Sequence, residues 1–206
     1  LERIRAYKRG EEATLAEKGS AFLQNGNGHL QEGSYDQAIA DFEKARNHAS
    51  GHRTIQSNAS VGMARAYYEK GDYAKALDHC TASSKTNSRN YDAWLFRGKT
   101  YIKMKQAKEA IDHLSKALQI EDGRPGALIY RGIAYAQSKK HREAVNDFTA
   151  ARRLDPEDPD PYYYRGRSYY HLSKYDEAVE DLTRSLQIQP GNPLVFCFRG
   201  MSYTRK

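Results

Sequence analysis

The dipeptide Arg-Gly recurs at Arg97-Gly98, Arg131-Gly132, Arg165-Gly166 and Arg199-Gly200, each copy 34 residues after the last. The flanking residues repeat with it: Trp-Leu-Phe-Arg-Gly-Lys-Thr-Tyr from Trp94, Leu-Ile-Tyr-Arg-Gly-Ile-Ala-Tyr from Leu128, Tyr-Tyr-Tyr-Arg-Gly-Arg-Ser-Tyr from Tyr162 and Phe-Cys-Phe-Arg-Gly-Met-Ser-Tyr from Phe196. A period of this length restricts the fold more than composition does. Each unit must be the same small supersecondary element, and such an element buries its apolar faces only by stacking on its neighbours. Ala110, Ala144 and Ala178 keep the same period in Lys-Glu-Ala-Ile, Arg-Glu-Ala-Val and Asp-Glu-Ala-Val. Two degenerate copies come first, one marked by Gly26, Tyr35, Ala38, Phe42 and Ala45, the next by Ala64, Tyr67, Gly71, Tyr73 and Ala76. Ala38 to Ala76 is a step of 38 residues, so about four extra residues fall near Gly51 to Ile55, enough to lengthen a helix by one turn without rotating its faces.

The pattern predicts helix pairs. Gly98, Gly132 and Gly166 would let a partner helix approach, with Ala110, Ala144 and Ala178 as the small residues opposite. Tyr101, Tyr135 and Tyr169 follow each glycine by three positions, on the same helical stripe, where they fill space between pairs. Pro125, Pro159 and Pro193 stand where first helices should begin, with Asp158 and Asn192 as N-caps before two of them. Pro156 and Pro190 stop the helices before these.

An aromatic, Gly and Tyr on a first helix, followed by Gly-x-Tyr-x-x-Ala, an aromatic and Ala on a second, resembles the tetratricopeptide repeat family from about Gly19 to Lys206. The resemblance implies an all-α fold, an α-solenoid of stacked antiparallel helix pairs forming a right-handed superhelix with a concave inner face. The expected organisation is an N-terminal helix or cap over 1–18, degenerate repeats over 19–52 and 57–90, repeats over 91–124, 125–158 and 159–192, and over 193–206 the first helix of a truncated repeat or a capping helix. Leu1 is not a methionine and Lys206 falls partway through a repeat, which suggests a fragment of a longer protein.

The arginines Arg97, Arg131, Arg165 and Arg199 could track phosphates or acidic residues of a ligand. Acidic residues recur on the second helices as Asp147 and Asp181, however, so structural ion pairs are the expected use, incomplete where His113 replaces the acid. A separate stripe, three residues before each glycine and one, four and five after it, is expected to carry ligand contacts. It contains Leu95, Lys99, Ile102 and Lys103; Ile129, Ile133, Ala136 and Gln137; Tyr163, Arg167, Tyr170 and His171; and Cys197, Met201, Thr204 and Arg205. By the family resemblance this stripe lines the concave groove. Its mix of Tyr, Ile and Leu with Arg and Lys suits a peptide or helix bearing apolar and acidic side chains, with Tyr163, Arg167 and Tyr170 as anchors.

Some family members hold a chaperone's C-terminal carboxylate with a clamp of Lys, Asn and Arg side chains. Here Asn27 matches, but Leu23 takes a lysine position, Gly62 is read at the second-repeat asparagine, and Asp92 and Phe96 at the third-repeat cations, so no such clamp is expected. Gly26, Gly28 and Gly33 follow no strand and do not make a phosphate loop. His79 and His113 share a repeat column and could approach one another, without a third ligand for a metal; no metal or cofactor is expected. Cys80 reads as a small core residue, and Asn58-Ala59-Ser60 as a glycosylation sequon without a secretory context.

A net charge of +7 favours acidic partners, but basic and acidic residues are interspersed. Two distant cysteines, with no signal peptide and no long apolar run, fit a cytoplasmic or other reducing intracellular compartment. No catalytic constellation stands out. The expected function is a non-catalytic scaffold that binds a peptide or helical segment of another protein, with self-association possible. The rival readings are nucleic-acid binding through a basic surface and a targeting or dimerisation module of a larger protein.

Overall fold

In the computed structural model the backbone is described for residues 2–206 and the side chains for residues 14–206. The described residues form eleven α-helices and no strand. They are α1 (Glu2–Gln31), α2 (Tyr35–His48), α3 (Arg53–Glu69), α4 (Tyr73–Thr86), α5 (Tyr91–Lys103), α6 (Ala107–Ile120), α7 (Pro125–Gln137), α8 (His141–Leu154), α9 (Pro159–His171), α10 (Tyr175–Ile188) and α11 (Pro193–Arg205). The chain divides into two compact units, Leu1–Thr100 and Tyr101–Lys206, with the division falling inside α5. In the first unit α1 pairs with α2 and α3 with α4; in the second α7 pairs with α8 and α9 with α10. The fold class is an all-α helical-repeat solenoid. α1 runs unbroken through the boundary expected at residues 18 and 19, so the N-terminal segment extends the first paired helix and does not precede it as a separate cap.

The turns inside the pairs are built alike. Gly33, Gly71, Lys105, Lys139 and Ser173 all adopt left-handed φ, between 59 and 80°. The next amide, that of Ser34, Asp72, Gln106, Lys140 or Lys174, donates to the carbonyl five residues back at 2.8 to 2.9 Å, capping the open end of the first helix. Only the first two turns use glycine, which takes this conformation without a Cβ clash; Lys and Ser hold it at some cost in strain. These residues mark the register more faithfully than the repeat glycines, and they locate the 38-residue step: α3 has 17 residues where α5, α7, α9 and α11 have 13. Pro125, Pro159 and Pro193 open α7, α9 and α11, and the Asp158 and Asn192 side chains accept from the amides of Asp160 and Leu194.

What the glycines admit differs from the expectation. A Cβ on Gly132 would lie 2.6 Å from Phe148 Cε1, one on Gly166 2.8 Å from Leu182 Cγ, and one on Gly26 2.7 Å from Phe42 Cε1. The gap is therefore filled chiefly by a large second-helix side chain sixteen residues on; at Gly166 the expected Ala178 stands beside it, its carbonyl 3.3 Å from the added Cβ. In the second repeat this register places Ala64 and Cys80, both buried, at the corresponding positions. A larger first-helix residue there is matched by a smaller second-helix one, a volume-conserving exchange. Burial pushes the Cys80 thiol up to about 12, so it remains protonated as a small hydrophobe.

The arginine beside the glycine is equally committed to the fold. Arg165 donates from Nε and Nη2 to both Asp181 oxygens at 2.7 Å and from Nη1 to Thr149 Oγ1 at 2.9 Å. Arg131 does the same with Asp147, at 2.8 and 2.7 Å, and with Ser115 Oγ at 3.1 Å. One guanidinium thus joins its own second helix to the second helix of the repeat before. Burial works against the Arg165 charge, but the bonds and charge of Asp181 more than offset it and hold its pKa above the ordinary value. Where histidine replaces the acid, the pairing changes to ring stacking: His79 lies on Tyr67 and His113 on Tyr101, with centroids 5.2 Å apart in each case. The two histidines thus each stack within their own repeat, and no group of three metal-ligating side chains occurs among the described residues. The buried Arg97 Nε has no hydrogen-bond partner among the described residues, and its guanidinium lies 5.6 Å from the Trp94 ring.

Two stability measurements follow. Gly132→Ala should lower the unfolding free energy by about 1–3 kcal/mol, because the tightly packed Phe148 ring must shift to admit the methyl group, whereas Gly200→Ala, which meets nothing within 4 Å, should be neutral or stabilising by up to about 1 kcal/mol in urea titrations. Asp181→Ala should cost about 3–5 kcal/mol by leaving a buried guanidinium unpaired, and a double-mutant cycle with Arg165→Met should recover much of that loss.

Candidate peptide-binding surface

The stripe predicted to meet a ligand divides by burial. Ile129 and Tyr163 are about 8 and 7 % exposed and Ile102 is 9 % exposed, so these side chains belong to the core, not to an open surface. The cause is the packing of successive first helices on one another. Tyr163 lies in a cluster with Leu182 and Val195 beneath Phe198 of α11, and Ile129 lies with Leu128 and Ala151 beneath Tyr164 of α9. Leu95, Lys99, Ile133, Ala136, Arg167, Tyr170 and Met201 are partly exposed; Lys103, Gln137, His171, Cys197, Thr204 and Arg205 are exposed.

In the first unit, the register set by the left-handed residues aligns Asn27 with Arg65 and Lys99. The clamp comparison at Gly62, Asp92 and Phe96 is therefore three residues out; the matching positions are Arg65, Leu95 and Lys99, and Leu23 and Leu95 still stand where lysines would be needed. Arg65 lies 5.5 Å from the Phe96 ring, and Lys99 lies 4.5 Å from Phe96 and 5.4 Å from Tyr68. Tyr68 and Phe96 meet edge to face at 6.3 Å. The cations are thus laid along aromatic faces, which fixes their positions.

The second unit holds a hollow of about 520 Å³ between α7, α8 and α9. Ile133, Ala136 and Gln137 form one wall, Phe148 and Tyr164 the floor, and Arg167 and His171 the other wall, with Lys139 and His141 at the turn. Predicted residues on α7 and α9 are thereby brought together, while Lys139, His141, Phe148 and Tyr164 were not anticipated. The sequence signal for the floor is the recurring aromatic two residues before each glycine, Phe96, Tyr130, Tyr164 and Phe198, which lies on a different stripe of the first helices.

Arg167 lies 5.1 Å from the Phe198 ring and 5.7 Å from that of Tyr163. His141 and His171 stack with centroids 4.6 Å apart and an interplanar angle of 15°. Both imidazoles titrate below their ordinary value: burial is the main cause for each, Arg167 adds to both, and His171 acts on His141. His141 Nδ1 is buried without a hydrogen-bond partner among the described residues. Burial is also the main reason the Tyr164 phenol rises to about 12. No acidic side chain lines the hollow among the described residues.

Residues 131–193 match the tetratricopeptide repeat family, and residues 31–117 match the family of anaphase-promoting complex, cyclosome, subunit 3. The chain belongs to the tetratricopeptide repeat family. No curated relative matches the sequence. Among solved structures it is similar to YrrB, a tetratricopeptide repeat protein described as having an unusual peptide-binding site, at 22% identity and a TM-score of 0.67 over 96% of this chain and 97% of that one. It is similar to a thermophilic tetratricopeptide repeat protein of Thermus thermophilus, TTC0263, at 18% identity and a TM-score of 0.70, covering 91% of this chain and 98% of that one. It also resembles the Cut9–Hcn1 hetero-tetramer of the APC/C at 18% identity and a TM-score of 0.78, covering 94% of this chain and 39% of that one. At these identities the solved structures speak for the tetratricopeptide fold alone. No described helix is long and apolar enough to cross a membrane.

The histidines give this repeat array a pH signature. His79, His141 and His171 all have lowered values, so the folded state prefers neutral imidazoles, while the unfolded chain titrates near about 6.5. Their stabilising contribution is present above about pH 6.5 and is lost as the pH falls below it through the folded values. Melting temperature should drop between pH 7.5 and 5.5, and the drop should shrink in His141→Gln/His171→Gln.

Proposed function

We propose that the protein is a non-catalytic interaction scaffold that binds a peptide or helical segment of another protein along the partly exposed first-helix surfaces. Family membership supports the scaffold role in general, since tetratricopeptide repeats present arrays of short helices to protein partners and are generally non-catalytic. The observation that carries the finer reading is the hollow between α7, α8 and α9, where apolar and aromatic side chains adjoin Arg167 and Lys139. A bound segment would set apolar side chains against the partly exposed Ile133 and Tyr164 and acidic ones toward the cations. Tyr170 would extend such a surface on α9, and in the first unit Leu95 and Lys99 of α5 are the corresponding candidates by themselves. Arg131 and Arg165 contribute nothing directly, because both are occupied by their aspartates.

The test combines Gln137→Ala with Arg167→Glu, substitutions at an exposed and a partly exposed position that leave Tyr163 and the core intact. Captured partners identified by mass spectrometry should be lost while far-ultraviolet circular dichroism stays unchanged. Retention of the same partners at unchanged helicity would remove this surface from consideration.

A further inference from the structure

The ionisable groups gathered in the second unit's hollow are all cationic or neutral, and they converge from separate elements. Arg167 and Tyr164 come from α9, Lys139 from the α7–α8 turn, and the stacked His141 and His171 from α8 and α9. α7 contributes Ile133, Ala136 and Gln137, and α11 contributes only the Phe198 ring beneath Arg167; Tyr175 of α10 is reached through Tyr170. Among the described residues Arg167 is not consumed by an acid as Arg165 is: its polar contact is the Tyr163 hydroxyl at 3.5 Å, and otherwise it lies on two rings.

We infer that this hollow receives an acidic side chain of the bound segment, its carboxylate set between Arg167 and the His141–His171 pair, and that the pair gains a proton when it does. The inference rests on the peptide-binding reading above and adds to it the chemistry of one subsite. Two neutral imidazoles stacked beside a guanidinium lack a counter-charge, and a carboxylate supplies it. Once it is in place the charged imidazole is favoured, and the proton comes from solvent. Binding and protonation are then linked: acid strengthens the bound state, whereas the empty site opposes it.

The probe is the peptide acetyl-Ala-Leu-Glu-Leu-Ala-amide, with counterparts carrying Gln or phosphoserine in place of Glu, titrated into the isotopically labelled full chain and followed by nuclear magnetic resonance at pH 7.5, 6.5 and 5.5. The Glu peptide should bind about threefold or more tightly at pH 5.5 than at 7.5, with the His141 and His171 titrations displaced upward, and the Gln peptide should show neither effect. Tighter binding of the phosphoserine peptide, with the same histidine displacement, would assign the subsite to a phosphate in place of a carboxylate and overturn the inference as stated. Arg167→Gln should abolish the preference for Glu, Arg167→Lys should restore part of it, and His141→Gln/His171→Gln should flatten the pH dependence, each variant being checked for an unchanged amide spectrum outside the hollow. If Glu and Gln peptides perturb α7 and α9 equally at every pH, the peptide-binding reading stands and the acidic subsite does not. If neither peptide perturbs those helices, both fall.

Discussion

The structure depends on a guanidinium buried beside a glycine. Arg165 satisfies both oxygens of Asp181 and also reaches Thr149 of the preceding pair, so one side chain fixes the crossing within a repeat and the stacking between repeats. The next residue, Gly166, lets Leu182 into the same crossing, so the polar and apolar contacts are adjacent and share one geometry. A buried charge of this kind is tolerated because its hydrogen bonds are satisfied, and a shift in helix register would break them all together. The ion pair therefore specifies the arrangement, while the packed side chains around it supply most of the stabilisation.

That commitment takes two arginines away from the surface. Arg131 and Arg165 turn into the helix crossing, while Arg65, Lys99 and Arg167, each one residue after the small packing residue, lie against aromatic rings, which limits their motion. The departures from the pattern obey the same logic. Where Asp gives way to His79 or His113, a stacked tyrosine takes over, and where Gly gives way to Ala64, Cys80 occupies the position of a larger side chain.

The helix count of the later repeats, their proline starts and the internal use of the arginine column were legible because each leaves a mark at fixed spacing. Lengthening of α3 was legible as an irregular step in that spacing. Three expectations needed revision for one reason: they depended on what lies across from a residue. The spacing shows the alanines opposite the glycines but not that Phe148 and Leu182 fill most of that gap, it leaves Tyr163 and Ile129 on a face that the next first helix covers, and it loses the clamp register where the repeat is degenerate. His141 escaped notice because it begins a second helix, and only the turn at Lys139 swings it onto His171 of the following repeat.

By itself the sequence determined the repeating unit, its helical character and the family, because periodic small, aromatic and proline positions are properties of a single strand of residues. The tertiary structure decided which members of each stripe are covered, which cations are already paired and which histidines meet. Those depend on the second-helix partner and on the neighbouring repeat, whose distance from a given side chain is set by packing and is not written in the spacing along the chain.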